Sequence, residues 1–219
     1  MKVYTHHPIQ LTDITSQDTD RGRVYQLPDG RLYPSVTTVL AEHSKAGIME
    51  WRKKVGEEEA NKVSRQASMN GTRFHTLTER YLKNEELPEK ISLIEREIFD
   101  IAKPELHKID NIRAQEIGLY SHHLRMAGRV DCIAEYNGKL SIIDFKTSRK
   151  EKELQHIQHY FMQAAAYAIM FEERTLIPIS NLVIIIAVAD GFMQVFQGKR
   201  DHYVEWLLYY RDLYEVHKY

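Results

Sequence analysis

Apolar and polar positions follow three different rhythms along this chain. Residues 1–32 show no period and read as an irregular polar segment that closes on a turn at Pro28-Asp29-Gly30. Over residues 46–82 apolar positions recur at helical spacing, with an interruption expected at Asn70-Gly71. A further helix is predicted over residues 92–102, halted ahead of Pro104. The period then drops towards two. Residues 112–120, 128–136 and 139–147 are predicted strands, the last two joined by Asn137-Gly138, a pair suited to a type I′ turn because both residues tolerate positive φ. A helix is predicted over residues 157–173, where Phe161, Ala165 and Ala168 fall at helical spacing. Residues 182–189 and 192–197 form a second hairpin about Asp190-Gly191, and a last amphipathic helix covers residues 201–216. Helices, three strands, a helix, two strands and a helix make an α/β fold, a central mixed β-sheet flanked by helices. With no repeat and no Pro/Gly/Ser-rich linker, one domain is expected over residues 1–219: the irregular segment 1–32, a mainly helical part 33–105 and the sheet-bearing core 106–219.

Composition narrows the chemistry. The chain is 43% hydrophobic and 28% charged, ordinary for a globular domain, and its formal net charge of -1 does not favour a strong grip on duplex nucleic acid. Its single cysteine, Cys132, excludes a disulfide framework, a Cys-ligated zinc site and a cysteine-held iron–sulfur cluster. No run approaches the roughly 18 apolar residues of a membrane span. The first residues lack an apolar core and soon meet Asp13, Asp18 and Asp20, so neither a signal peptide nor a transit peptide is expected. Basic clusters stand at Arg52-Lys53-Lys54, Arg149-Lys150 and Lys199-Arg200; each is either a solvated face or a contact for an anionic partner.

The Asn137-Gly138 hairpin brings two acids together. If Tyr136 faces Lys139, then Asp131 and Asp144 face each other on one side of the sheet, and Lys146 points to that side as well. Opposed carboxylates repel, and nothing in sheet packing rewards placing them among Val130, Ile133, Ile142 and Ile143. A hard divalent cation resolves the conflict, and a nearby lysine can then stabilise phosphate charge or help deprotonate a water. The competing reading is an ordinary salt bridge of these acids with Lys146 or Arg129.

Gly128-Arg129-Val130-Asp131, Asp144-Phe145-Lys146 and Gln163-x-x-x-Tyr167 together resemble the ordered motifs of RecB-type PD-(D/E)XK nucleases. Tyr33-Pro34-Ser35-Val36-Thr37 and Gly71-Thr72-Arg73-Phe74-His75 extend the similarity to the mitochondrial exonucleases of that family. The resemblance runs from about Tyr33 to the last helix and implies a restriction-endonuclease-like core. It further implies that Asp131 and Asp144 bind metal, that Lys146 is catalytic, and that His75, Glu116 and the Phe145 carbonyl complete the site. Gln163 and Tyr167 would contact nucleic acid or buttress the site, and Ser35 and Thr37 would touch phosphates. From the residues alone, His75 and Glu79 equally make an exposed i,i+4 pair, Glu116 a solvated strand residue, and Gln163 with Tyr167 a helix–sheet contact.

The expected function is a Mg²⁺-dependent DNA exonuclease, with Mn²⁺ as a substitute, acting on single-stranded DNA or single-stranded ends in replication, repair or recombination. The lack of a Gly-x-x-x-x-Gly-Lys-[Ser/Thr] loop means no nucleotide cofactor and no built-in motor. DNA is the expected partner, and the cytoplasm of a bacterium or phage-infected host the expected location. The alternatives are a structure-specific endonuclease of the same fold and a non-catalytic DNA-binding module serving recombination.

Overall fold

Residues 2–217 are described in the computed structural model, and their first surprise is order in the N-terminal segment. Thr15–Thr19 (β1), Gly22–Gln26 (β2) and Leu32–Pro34 (β3) form a three-stranded antiparallel sheet where an irregular stretch was expected. All five residues of β1 are exposed, so no alternation marks it in the sequence. Packing supplies the order instead: Ile14, Tyr25, Leu27 and Tyr33 bury themselves against Tyr120 and Ala127. The expected turn is present, closed by Leu27 N–H donating to the Arg31 carbonyl at 2.9 Å.

The helical part is longer and breaks elsewhere than the pattern predicts. Val36–Val55 (α1) starts ahead of the predicted helix, its N-terminus capped by the Ser35 hydroxyl, which accepts from Thr38 N–H. The chain breaks at Gly56, at φ 87° and ψ 154°, a conformation essentially restricted to glycine. Glu57–Leu82 (α2) then runs through Asn70-Gly71 without interruption, because one helical glycine costs only about 1 kcal/mol. Leu93–Leu106 (α3) opens on a Ser92/Glu95 capping box and, against expectation, contains Pro104. Proline there forfeits one hydrogen bond near the helix end, while burial of Leu106 keeps the last turn in place.

Ile109–Ser121 (β4), Met126–Tyr136 (β5), Lys139–Ser148 (β6), Asn181–Val188 (β7) and Phe192–Lys199 (β8) form the central sheet in sequence order. Pairs are antiparallel except β6 with β7, which Gln158–Thr175 (α4) connects as a parallel crossover. Val204–His217 (α5) follows β8. One face of the sheet packs on α1, α4 and α5 through residues such as Val39, Phe161, Ala165 and Leu207; the other packs on α2 and α3 through Phe74, Leu77 and Phe99. The sheet is thus mixed and flanked by helices, as the pattern predicts. Residues 5–9 run along β4, with Ile112 N–H donating to Thr5 O and His7 N–H to Ile112 O, both at 2.8 Å. No described helix is long and apolar enough to cross a membrane.

Candidate active site

The hairpin turns as its sequence requires, with Asn137 at φ 49° and Gly138 at φ 74°. Pairing follows the expected register from Tyr136↔Lys139 to Cys132↔Ile143. The next step would set Asp131 against Asp144, but there β5 and β6 part. The Phe145 N–H, which a continued ladder would give to β5 backbone, goes instead to Asp131 Oδ2 at 2.8 Å. A strand residue points its N–H and C=O to the same side, so the Phe145 carbonyl faces this gap too. Ile133 and Ile142 belong to the core layer under α4, whereas Cys132 and Ile143 belong to the layer under α2 and α3. Alternation therefore places Asp144 and Lys146 on the α4 side, with Phe145 on the other, whereas along β5 both Val130 and Ile133 reach the α4 layer, so the alternation is broken at Asp131.

Two further elements close on the gap. Phe74 of α2 packs edge-on against Phe145, which seats α2 across β6 and carries His75 to the carboxylates. His75 Nδ1 lies 3.7 Å from Glu116 Oε1 and 3.7 Å from Asp131 Oδ1. Glu79, the i,i+4 neighbour, pairs with Lys83 at 2.6 Å instead. Glu116 enters from β4 at φ 48°, a left-handed conformation that a non-glycine residue rarely adopts. Asp144 is deeply buried: its Oδ1 accepts from Lys146 Nζ at 2.7 Å, while Oδ2, 2.6 Å from the same nitrogen, accepts no hydrogen bond. The Lys146 ammonium also lies over the Tyr160 ring, 5.2 Å from its centroid. Tyr160 went unnoticed in the sequence, although it shares a helix face with Gln163 and Tyr167 at i, i+3 and i+7.

Electrostatics follow from burial in a tight group of charges. Burial pushes the Asp144 carboxyl up to about 6 although Lys146 pulls it down. Burial likewise raises Asp131, against the opposing pull of His75 and Lys146. Burial works against the charges on Lys146 and His75, yet both are raised: Asp144 and Asp131 prevail at the lysine, Glu116 and Asp131 at the histidine. Such a set favours positive charge. The donor atoms of His75, Glu116 and Asp131 lie within 4.8 Å of one another, close enough for one hard cation to bridge after small adjustments. The unbonded Asp144 Oδ2 and the gap-facing Phe145 carbonyl add oxygen donors beside them. These residues fit a divalent cation.

The remaining expected site residues lie further out. Tyr167 and Gln163 are both buried and bond to each other, Gln163 Nε2 donating to Tyr167 Oη at 3.2 Å. A Cβ at Gly128 would sit 2.7 Å from Tyr167 Cε1, so a glycine lets the tyrosine pack against β5. Of the two roles open to Tyr167, its burial favours buttressing. Ser35 is buried, its hydroxyl held by Thr37 and Thr38, while Thr37 is exposed at the start of α1.

A mixed sheet flanked by helices carries two acids and a lysine where two of its strands part, and comparison with known proteins identifies the family. Residues 50–204 match the model of the PD-(D/E)XK nuclease superfamily, and the chain belongs to that family. It is similar to human mitochondrial genome maintenance exonuclease 1, 30% identical over 173 residues, covering 72% of this chain and 50% of the human protein. The mouse protein of that name is 34% identical over 89 residues, 39% of this chain and 26% of its own length. The chain thus spans half or less of the length of these relatives. A crystal structure from Eubacterium rectale, provisionally described as an exonuclease, superposes with a TM-score of 0.48 at 15% identity, covering 67% of this chain and 64% of that one.

Proposed function

We propose that this chain hydrolyses DNA phosphodiester bonds with Mg²⁺, or Mn²⁺ in its place, and works from single-stranded ends. The observation that carries the reading is the convergence of His75, Glu116 and Asp131 on one point, with the buried Asp144–Lys146 pair alongside. His75, Glu116, Asp131, Asp144 and the Phe145 carbonyl would hold the cation. Bound there, it would polarise the phosphodiester and lower the pKa of an attacking water. Lys146, kept protonated by two carboxylates, is suited to stabilise charge growing on the phosphate oxygens; it is a poor candidate for a base. Tyr160 and Asp144 hold that ammonium in place.

Preference for single-stranded ends is supported by the long pair of helices ahead of the site. Between Lys45 and Arg73 only Ala60 is buried, so these helices stand largely clear of the core where α2 delivers His75. They could wall the approach so that a strand must thread in by its end. Arg52 is held by Glu57 and Asn61, Lys62 by Glu59 and Arg73 by Glu95, which leaves Lys53, Lys54 and Arg65 as the charges available to phosphates. The similarity to mitochondrial genome maintenance exonuclease 1 supports action at an end, as its name states.

The test is a time course on matched linear and circular single-stranded DNA in Mg²⁺, with a chelator control. Linear strands should disappear while circles persist, and chelation should stop the reaction. Equal loss of both would replace the exonuclease with an open-cleft endonuclease; full activity in chelator would remove the metal.

A further inference from the structure

We propose that Arg129 and Asp13 form a clamp holding Glu116 in its site-facing conformation, which makes the segment ahead of β1 part of the support of the metal centre. The inference rests on the reading of Glu116 as a ligand. In a regular ladder Glu116 would lie directly across from Asp131, since Gln115↔Cys132 and Ile117↔Val130 flank that position. It stands there at φ 48°, and such a conformation persists only where its surroundings over-determine it.

Arg129 Nη1 donates to the Glu116 carbonyl, tying down the backbone that leaves the left-handed residue on its C-terminal side. Its Nη2 lies 3.3 and 3.2 Å from the two Asp13 carboxylate oxygens. Asp13 is anchored in turn, its Oδ1 accepting from Gly118 N–H at 2.7 Å and from Ile14 N–H at 3.0 Å. A Cβ at residue 118 would fall 2.7 Å from Asp13 Oδ1 and 2.5 Å from Ile14 Cγ1, so only glycine lets Asp13 reach the strand. Ile14 is buried in the small N-terminal core, which ties the aspartate to a packed element.

Magnitude and geometry point the same way. The Arg129 and Asp13 side chains are 38% and 55% exposed, and an ion pair so wetted adds little to stability. What it adds is direction. A guanidinium can grip a carbonyl and a carboxylate at once through its fixed fork, whereas an ammonium is a point charge on a flexible stem. With the backbone of Glu116 held, its carboxylate stays within 3.7 Å of His75.

The test uses the full chain carrying Arg129→Gln, Arg129→Lys, Asp13→Asn and Glu116→Gln, with a metal-free crystal structure of Arg129→Gln and Mn²⁺ titrations followed by electron paramagnetic resonance. In Arg129→Gln, residue 116 should relax to negative φ, its carboxylate should leave His75, and Mn²⁺ affinity should fall about tenfold, the scale expected for an outer-shell partner. Arg129→Lys should recover part of that loss, and Asp13→Asn, the milder variant should Arg129→Gln fold poorly, should lose less. In a Glu116→Gln background Arg129→Gln should cost nothing further. The clamp is overturned if residue 116 keeps its conformation and its distance to His75 in Arg129→Gln, or if the affinity loss persists undiminished in the Glu116→Gln background. Relaxation of residue 116 with unchanged Mn²⁺ affinity in Glu116→Gln would support the clamp while removing Glu116 as a ligand.

Discussion

Asp144 carries a negative charge at a cost, and that cost gives the residue scale its predictions. Its carboxyl is raised from 3.8 to about 6, chiefly by burial. The folded chain therefore binds this proton more tightly than the unfolded chain, and stability contributed here is lost as pH rises between those values. Compared with Asp144→Asn, the metal-free wild type should lose stability between about pH 4 and pH 6, as read from urea midpoints; parallel curves would show that the carboxyl titrates normally. The same variant should show no turnover in Mg²⁺. Lys146→Ala should separate chemistry from binding. Its cleavage rate should fall by about 10²–10³, the scale of one lost charge-stabilising donor, while DNA affinity in Ca²⁺ stays near wild type. Equal losses in both would make Lys146 a phosphate clamp. At this scale the sequence shows that Asp144 and Lys146 share a strand face; the register set by the two-residue turn holds only as far as Cys132↔Ile143, so the expected direct opposition of Asp131 and Asp144 is not reached.

At the scale of elements, β5 is shaped by a partner that strand periodicity cannot reveal. Gly128 leaves the room that Tyr167 fills, so α4 approaches β5 within van der Waals contact just upstream of Asp131. Gly128→Ala should destabilise the fold by roughly 1–3 kcal/mol, the scale of core overpacking, and should lower the cleavage rate by moving β5. Thermal melts and initial rates check this. A variant as stable and as active as the wild type would show that the contact is slack. The helices ahead of the sheet show how local signals compete. Asn70-Gly71 looks like a break, but its penalty is small beside the gain from seating Phe74 and Leu77 in the core. Gly56 terminates α1 because its φ and ψ permit a corner closed to other residues. The local sequence does not rank these two glycines; packing does.

For the whole molecule, metal binding and folding should be coupled. The folded chain gathers His75, Glu116 and Asp131, residues far apart in sequence, so a cation should bind the folded state and barely the unfolded one. Saturating Mg²⁺ or Mn²⁺ should raise the melting temperature at pH 7, by about 2.7 kcal/mol of stability when the ion is at a hundred times its dissociation constant. The gain should shrink at pH 5, because burial and neighbouring acids favour protons on Asp144, Asp131 and His75, and these compete with the ion. Melting curves at the two pH values with and without metal check this; an equal shift at both would point to binding elsewhere. Cleavage should also slow as salt rises if Lys53, Lys54 and Arg65 meet phosphates.

The chain by itself determined the features that depend on neighbours in sequence: the period of the central strands, the Asn137-Gly138 turn, the register that follows from it as far as Cys132↔Ile143, and so the shared face of Asp144 and Lys146. Tertiary structure decided whatever depends on distant partners. It turned His75 away from Glu79 and towards Glu116 and Asp131, ordered β1 to β3 on a small buried core, carried α3 through Pro104, and brought Asp13 to Arg129. The physical reason is that backbone geometry is written in local residue preferences, whereas a buried charge takes its meaning from groups that only the packed chain brings within a few ångströms.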